Sequence, residues 1–303
     1  MTLWQQISAQ ISQHTQTPFS ATEHTRVAGG SINQSYKVSD KVGDKTSHTQ
    51  QHYFVKLNNA SHGNMFEVEA QALQEIAASN TICVPQPICT GHTKDQSWLV
   101  MEFLALAHSA PSGASARQLA QQLCAMHKNT AAQFGWHTNN TIGSTPQTNQ
   151  QHTHWVDFWR EQRLQPQLRL AEQNGYGKAL STIGERLLSD FGVLFASHQP
   201  VAAMLHGDLW AGNAAALTNG TPIIFDPALY YGDRETDIAM TQLFGGFSPD
   251  FYTAYNQAWP LDDGFSVRKT LYNLYHILNH LNLFGEGYLS QAVCMSEQIL
   301  AEI

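Results

Sequence analysis

The side chains best placed to do chemistry lie in one short stretch, MLHGDLWAGN at residues 204–213, where four residues separate Asp208 from Asn213. A second carboxylate, Asp226, follows thirteen residues after Asn213. Phosphoryl transfer needs a carboxylate that holds the attacking hydroxyl, and further oxygen ligands for Mg²⁺, which prefers hard oxygens. The spacing therefore predicts that Asp208 is a catalytic base and that Asn213 and Asp226 are ligands of the Mg²⁺ that accompanies ATP.

Each of these pieces also has a purely structural explanation, because HGD and the Asp226-Pro227 pair are both common in surface turns. Between them, the stretch NAAALTNGTPIIFDP places Asn219-Gly220 between two apolar runs, which is typical of a β-hairpin. A short hairpin would return Asp226 to the neighbourhood of Asn213. The joint occurrence of motif, hairpin and second carboxylate favours the functional interpretation.

A lysine and a glutamate in the first hundred residues fit the same chemistry. Lys56 lies in the alternating strand HYFVKLN, which is followed by the amphipathic helix NMFEVEAQALQEIAAS. In kinases a strand lysine holds the ATP phosphates and a helix glutamate orients that lysine. Glu67, Glu69 and Glu75 all lie on the predicted helix, so the pattern alone leaves the identity of the partner open.

A glycine-containing turn between two predicted strands is a third candidate element of a nucleotide site. Its backbone N–H groups could contact phosphates, and it comprises Gly29, Gly30, Ser31, Ile32 and Asn33. The turn is neither a GxxxxGKS/T loop nor a GxGxxG loop. The sequence therefore disfavours a P-loop NTPase and a dinucleotide-dependent enzyme.

Fifteen histidines raise the question of a metal site. His276 and His280 are four residues apart on a predicted helix, but Ile277 stands where the HExxH zinc motif requires Glu. We therefore expect His276, Asn279 and His280 to line the substrate side of the helical part. A nearby aromatic group is expected to pack in the core or between the lobes, and it comprises Phe244, Phe247, Phe251, Tyr252 and Tyr255.

Positioning these groups requires two kinds of element, and the chain divides accordingly. The first hundred residues alternate in the manner of β-strands around one long helix, whereas most later segments have helical periodicity. This pattern predicts an α+β fold with an ATP-binding part at residues 1–103 and a catalytic, substrate-binding part at residues 104–303. The polar stretch TPQTNQQHTH, residues 145–154, is expected to be a surface loop.

Composition limits the partners and the location of the chain. A length of 303 residues with 42% hydrophobic residues allows two packed lobes, and the net charge of −8 disfavours nucleic acid as a partner. Four scattered cysteines without a CxxC pair are typical of a reduced, cytoplasmic protein. Neither a secretory signal nor an apolar run long enough to span a membrane is predicted.

The sequence resembles the fructosamine kinase family, which belongs to the protein-kinase-like set that also includes aminoglycoside and choline phosphotransferases. The resemblance covers nearly the whole chain. It is most specific in HGDLWAGN and FDPALYYGDRETDIAM, because aminoglycoside enzymes share the HGD and the later Asp but lack the Trp and the YYGDRE run. Further marks are GGSINQSYKV, YFVKLN, FEVEAQAL, LVMEFL, FGWHTNNTIGSTPQTN and LYNLYHILNHLNLFG.

The resemblance implies a protein-kinase-like bilobal fold with ATP and Mg²⁺ in the cleft between the lobes. It implies that Lys56 contacts the ATP phosphates with Glu69 as its partner, and that the turn from Gly30 to Asn33 covers the phosphates. The adenine would meet a hinge formed by Met101, Glu102, Phe103 and Leu104. Some relatives carry a redox-active Cys in the turn where this chain has Ser31, so that form of redox control is expected to be absent.

The resemblance also implies a substrate and a reaction. The implied reaction phosphorylates the O3 hydroxyl of a ketosamine (ribulosamine, erythrulosamine or fructosamine), free or on a protein lysine, and the 3-phosphate then leaves and frees the amine. Trp210 is implied to be a platform for the sugar, because an indole face packs well against sugar C–H groups. A monomer is favoured over a dimer.

Two alternatives from other functional classes stay open at this stage. The first is a phosphotransferase for another small molecule, such as an aminoglycoside or choline. The second is a non-catalytic binding module with a kinase-like shell. A pseudokinase would be expected to lack one of Lys56, Asp208, Asn213 or Asp226, and this sequence contains all four.

Asp237 is expected to brace the catalytic loop through hydrogen bonds, and His206 is expected to support the backbone of that loop.

Overall fold

The structure is a computed structural model that describes residues 1–27, 32–40, 50–62 and 64–303. Of the predicted phosphate-covering turn, Ile32 and Asn33 are among the described residues, whereas Gly29, Gly30 and Ser31 lie outside them. Within the described ranges, no helix combines the length and the apolar character needed to cross a lipid bilayer.

The first hundred residues form a five-stranded antiparallel sheet with two helices, one before the first strand and one between the third and fourth strands. The helices are α1 (Leu3–Thr15) and α2 (Met65–Ala78). The strands are β1 (Glu23–Val27), β2 (Gln34–Ser39), β3 (His52–Asn59), β4 (Pro87–His92) and β5 (Gln96–Glu102). Their order in the sheet is β1-β2-β3-β5-β4, so β3 is the central strand and Lys56 lies near the middle of the sheet.

The side chains of β3 alternate between a face of the sheet that packs in a hydrophobic cluster and a face that carries Lys56. Val55 and Leu57 are buried in a cluster with Ile7 and Ile11 of α1. Lys56 points to the opposite face, because successive side chains of a strand alternate between the two faces of a sheet. That face lies against α2, whose Leu73 is fully buried. The predicted alternation of this strand is confirmed.

The second part of the chain is mainly helical. Its helices are α3 (Gly113–His127), α4 (Trp155–Trp159), α5 (Gln165–Ala171), α6 (Gly177–Asp190), α7 (Glu235–Thr241), α8 (Pro249–Ala258), α9 (Phe265–Phe284) and α10 (Leu289–Ala301). Two π-helical turns, Arg160–Leu164 and Glu172–Tyr176, join α4, α5 and α6. The 20-residue α9 contacts α5, α7 and α10 and is buried over most of its length, so it forms the centre of this part.

Short strands connect these helices and carry the catalytic segments. They are β6 (Thr130–Ala131), β7 (Asn140–Ile142), β8 (Thr145–Gln147), β9 (Ala202–Leu205), β10 (Ala214–Ala216), β11 (Pro222–Ile224) and β12 (Tyr230–Gly232). β10 and β11 form the antiparallel hairpin predicted from the sequence. Gly220 adopts a φ of 88° in its turn, which a residue with a Cβ rarely does.

The polar stretch at residues 145–154 was predicted to be a surface loop, and this prediction is wrong for its first half. Asn149 is completely buried. Its amide oxygen accepts a 2.7 Å hydrogen bond from Arg163, and its amide nitrogen donates to the carbonyl of Thr138. Arg163 is also buried and donates to the carbonyl of Thr148. Polar residues can be buried in this way because they satisfy one another's hydrogen bonds.

Candidate active site

A cavity of about 780 Å³ lies between the five-stranded sheet and the helical part. Most of the sequence-predicted site residues that the structure describes line it. From the sheet part these are Ile32, Asn33, Lys56, Glu69, Met101, Glu102 and Leu104, and from the helical part Asp208, Trp210, Asn213, Asp226, His276 and His280. Phe103 is not among the lining residues, because its ring contacts His52 and the ammonium of Lys37 at 4.5 Å. A hinge role for Phe103 would therefore use its backbone.

The loop that carries Asp208 is held by a buried carboxylate. Asp237 accepts hydrogen bonds from the backbone N–H groups of His206 at 2.7 Å and Gly207 at 2.9 Å. Its Oδ2 also lies 3.1 Å from the Nε2 atom of His127. Burial alone would raise the pKa of Asp237, but the contact with His127 and these backbone hydrogen bonds hold it below its ordinary value. The bracing role predicted for Asp237 is confirmed.

The imidazole of His206 fixes the next turn of the same loop. Its Nε2 atom donates to the carbonyl of Phe225, and its Nδ1 atom accepts from the backbone N–H of Asp208. This pattern requires a neutral ring, and burial lowers the pKa of His206 accordingly. Gly207 has a φ of 83°, and a Cβ there would lie 2.1 Å from the carbonyl oxygen of Ala228. The close approach of the two segments therefore requires glycine.

Asp208 and Asn213 are in direct contact. The amide nitrogen of Asn213 donates to the carbonyl oxygen of Asp208 at 2.8 Å and to its carboxylate at 3.2 Å. Burial, together with the nearby charge of Asp226, raises the pKa of Asp208 to about 7, although the hydrogen bond from Asn213 opposes the shift. A carboxylate whose pKa lies near the working pH is well suited to general base catalysis.

Lys56 links the sheet to the catalytic segments. Its ammonium is hydrogen-bonded to Glu69 and lies 2.6 Å from Oδ1 of Asp226. Burial alone would lower the pKa of Lys56, but the two carboxylates outweigh it and keep the lysine protonated. Among the three candidate glutamates, Glu69 contacts the lysine and Glu67 is exposed to solvent.

The third candidate, Glu75, has a different role that the sequence did not predict. Its two carboxylate oxygens accept hydrogen bonds from the indole of Trp136 and the hydroxyl of Tyr231, each at 2.8 Å. Both partners belong to the helical part. Glu75 therefore ties α2, the helix that carries Glu69, to the other side of the cleft.

Asp226 and Asn213 form an oxygen donor set that fits Mg²⁺. The backbone N–H of Phe225 donates to the carbonyl of Asn213 at 3.1 Å, so the end of the hairpin is fastened to the catalytic loop. The amide nitrogen of Asn213 is directed at Asp208, so its amide oxygen is available to bind a metal ion. Asp226 has a φ of 59°, in the left-handed region that few side chains adopt. Hard oxygens of this kind suit Mg²⁺ carried by a nucleotide.

Another part of the cavity lining is aromatic. The Trp210 ring is 37% exposed and covers Gly212, where a Cβ would lie 2.3 Å from the indole. Phe244 packs against the hydrophobic core, as predicted, and it also meets Trp210 edge to face at 6.2 Å and lines the cavity. Burial lowers the pKa of His276 to about 3 and also lowers that of His280, so both imidazoles are neutral.

Several lining residues had no role in the sequence-based predictions. They are Asn140, Thr141, Gly143, Leu283, Phe284 and Tyr288, whereas Asn279, which was predicted together with the two histidines, lines the cavity as expected. Asn279 donates to the carbonyl of Ile142, which joins the β7–β8 hairpin to α9. The stretch NNTIGST was one of the marks of the family resemblance, but no hairpin was predicted there.

Two features of this site define a protein-kinase-like phosphotransferase. One is a strand lysine paired with a helix glutamate, and the other is an Asp-x4-Asn loop with a later Asp that faces the same cleft. An aminoglycoside phosphotransferase, solved with ADP and hygromycin B, shares this fold with a TM-score of 0.65 at 14% identity, covering 99% of this chain and 97% of that one. The predicted bilobal α+β fold is confirmed.

Sequence comparison defines the family. The fructosamine kinase family profile matches residues 3–302. A probable ketoamine kinase of Synechocystis is 46% identical over 298 residues, with 98% of this chain and 97% of that protein covered. The chloroplastic protein-ribulosamine 3-kinase of Arabidopsis thaliana is 38% identical, with 92% and 84% covered. The structure of a candidate fructosamine-3-kinase from Haemophilus somnus superposes with a TM-score of 0.86 at 28% identity, covering 99% and 100%. The chain belongs to the fructosamine kinase family.

Proposed function

We propose that this protein is an ATP-dependent kinase that phosphorylates the O3 hydroxyl of ketosamines. The observation that carries the proposal is the convergence of Lys56, Asp208, Asn213 and Asp226 on one cavity. Membership of the fructosamine kinase family supports the substrate class, since its relatives include proteins named as ketoamine and ribulosamine kinases.

In this proposal each residue has one task in the transfer. Asp208 orients the O3 hydroxyl and accepts its proton while the oxygen bonds to the γ-phosphorus and the bond to the leaving ADP breaks. Lys56 binds the nucleotide phosphates. Asn213 and Asp226 hold Mg²⁺, which when bound neutralises negative charge on the phosphates. Residues 101–104 meet the adenine, and the turn at residues 29–33 covers the phosphates.

The proposed substrate side and the consequences of the reaction follow from the chemistry of ketosamines. Trp210 packs against the sugar, with His276 and His280 on the same side of the cavity. The 3-phosphate is next to the C2 carbonyl, so its elimination frees the amine and reverses glycation. We further propose that the lobes are residues 1–103 and 104–303, that the protein acts as a monomer, and that it works in the reducing, ATP-rich cytoplasm.

A substrate panel tests the proposal. ATP consumption would be measured with ribulosamine, erythrulosamine, fructosamine and an aminoglycoside, each in parallel with the Asp208→Asn variant. We expect turnover with at least one ketosamine, none with the aminoglycoside, and loss of turnover in the variant. Activity on the aminoglycoside alone would contradict the proposed substrate class, and ATP consumption unaffected by Asp208→Asn would contradict the proposed mechanism.

A further inference from the structure

Five rings form a continuous surface along one side of the cavity, and we call this surface the aromatic wall. It comprises Trp210, Phe244, His280, Phe284 and Tyr288. Neighbouring ring centroids are 6.2 Å apart for Trp210 and Phe244, and 4.7 Å apart for Phe244 and His280. His280 then lies 5.3 Å from Phe284 and 5.2 Å from Tyr288. The wall therefore extends without a break from the catalytic loop to the C-terminal end of α9.

Both ends of the aromatic wall are accessible. Trp210, two residues from Asp208, is 37% exposed, and Phe284 at the outer end is 50% exposed. Large apolar side chains that line a cavity and remain this exposed commonly mark a binding surface. The geometry provides an elongated surface that begins beside the reacting hydroxyl.

The charge of the cavity favours a cation on this surface. Lys56 is the single Lys or Arg among the lining residues that the structure describes, and it is already paired. The carboxylates among the lining residues are Glu69, Glu102, Asp208 and Asp226. Burial lowers the pKa values of His276 and His280, so neither imidazole adds a positive charge near neutral pH. Ring faces carry negative partial charge and attract ammonium groups.

We propose that the aromatic wall binds the protonated secondary amine of the substrate and the alkyl chain attached to it, the occupant being the side chain of a glycated lysine. The inference rests on the proposed function. In a ketosamine the nitrogen is bonded to C1, two carbons from C3, so when O3 meets Asp208 the nitrogen is within reach of Trp210, two residues along the same loop. The alkyl chain then extends along the wall toward Phe284 and the solvent, where the rest of a protein would be.

Binding measured without ATP tests this inference separately from catalysis. Two ligands would be titrated calorimetrically: the ribulosamine of n-butylamine, and its ether analogue in which oxygen replaces the nitrogen. We expect the wild-type protein to bind the amine roughly tenfold more tightly than the ether. Phe244→Leu, at the ring next to Trp210, should reduce this ratio about threefold, whereas Phe244→Tyr, which keeps a ring face, should retain it. Tyr176→Leu is the matched control, because Tyr176 lies near Gly285 but does not line the cavity.

The outcomes distinguish the two proposals. Equal affinity of the wild-type protein for amine and ether, or an unchanged ratio in Phe244→Leu, would overturn the role of the aromatic wall, even if both compounds were phosphorylated. Selective binding of the amine that depends on the ring at position 244, without phosphorylation of any ketosamine when ATP is added, would support the wall and overturn the proposed kinase reaction.

Discussion

The phosphate-binding and substrate-binding ends of the cavity are lined by different kinds of side chain, charged groups at the first and aromatic rings at the second. At the phosphate end, Lys56, Asp208 and Asp226 are joined to one another or to their neighbours by hydrogen bonds and ion pairs of 2.6–3.2 Å. At the substrate end, aromatic rings pack with centroids 4.7–6.2 Å apart, and two of them are partly open to solvent. Reacting atoms must be held within a fraction of an ångström, whereas a ring surface can bind related ligands without fixed geometry.

The supports behind each end differ in the same way. Asp237 and Glu75 hold the phosphate end through buried hydrogen bonds to the catalytic loop and between the two parts of the chain. The aromatic wall is supported mainly by ring contacts along α9 and the segment that follows it. Mutations at the phosphate end should therefore change the rate of transfer, and mutations at the substrate end should change the affinity for the sugar.

The largest effect should follow from removing the proposed base. Asp208→Asn keeps the shape of the side chain but cannot accept the hydroxyl proton, so we expect kcat to fall by roughly 10²–10⁴ while ATP affinity is retained. Steady-state kinetics and ATP titration would measure both quantities. Turnover close to that of the wild-type protein would show that Asp208 is not the base.

A smaller effect is expected at the support of α2. Glu75→Leu removes the acceptor of both Trp136 and Tyr231, which frees the helix that positions Glu69 against Lys56. Hydrogen bonds to a charged group contribute about 1.5–3 kcal/mol each, so we expect kcat/KM for ATP to fall by at least about tenfold.

Glu67→Leu is the matched control for Glu75→Leu, because Glu67 lies on the same helix but is exposed to solvent. This control should leave kcat/KM for ATP within about twofold of the wild-type value. If both variants behaved alike, the contact of Glu75 with the helical part would have no part in positioning the lysine.

The substrate end should respond through binding. Trp210→Ala removes the indole next to the catalytic loop, and an aromatic contact contributes about 0.5–1.5 kcal/mol, so KM for the ketosamine should rise roughly two- to tenfold. KM for ATP should hardly change. A defect confined to ATP would place Trp210 with the phosphate end and would remove the distinction between the two ends.

A buried cluster outside the cavity allows a substitution that should change the stability of the fold without changing the rate of the reaction. His198 lies 2.8 Å from Asp233 and near Glu235, and Asp233 also accepts a hydrogen bond from Tyr272. Burial alone would lower the pKa of His198, but the two carboxylates raise it above the ordinary 6.5. Stabilisation by the charged imidazole is therefore complete below pH 6.5 and is lost as the pH rises through the higher folded value.

His198→Gln tests this sign. Urea unfolding of the wild-type protein and the variant would be compared at pH 5.5 and pH 8.5. We expect the variant to be less stable by about 1–3 kcal/mol at the lower pH, and by less at the higher pH, with kcat unchanged at both. A destabilisation that grew with pH would contradict the charge assignment.

The catalytic core could be predicted from the sequence because its signals are local. Asp208, Asn213 and Asp226 lie within nineteen consecutive residues, and an Asn-Gly turn fixes how the segment folds back. Few conformations satisfy such short spacing, so the predicted convergence of these groups agrees with the cavity. The identification of the fructosamine kinase family is confirmed for the same reason, because its specific motifs are contiguous.

Other features could not be predicted because they depend on contacts between distant segments. Glu69 and Glu75 have distinct roles because they contact different partners from α2. Glu69 contacts Lys56 of the sheet, whereas Glu75 contacts residues 136 and 231 of the helical part. Asn149 looked like a surface residue, and its burial depends on Arg163 filling its hydrogen bonds. Phe244 belongs to an aromatic run that packs in the core, and the position of α9 places this one ring at the cavity.

Two requirements limit which residues can replace Asp226. The side chain must supply an oxygen ligand, and the backbone must adopt a left-handed conformation. A φ of 59° is readily adopted by Gly, Asn and Asp, whereas most other L-residues are strained there. An alanine substitution would therefore mix the loss of an oxygen ligand with a distorted main chain. Asparagine removes the negative charge, keeps a side-chain oxygen and tolerates the left-handed backbone conformation. Asp226→Asn therefore isolates the contribution of the charge.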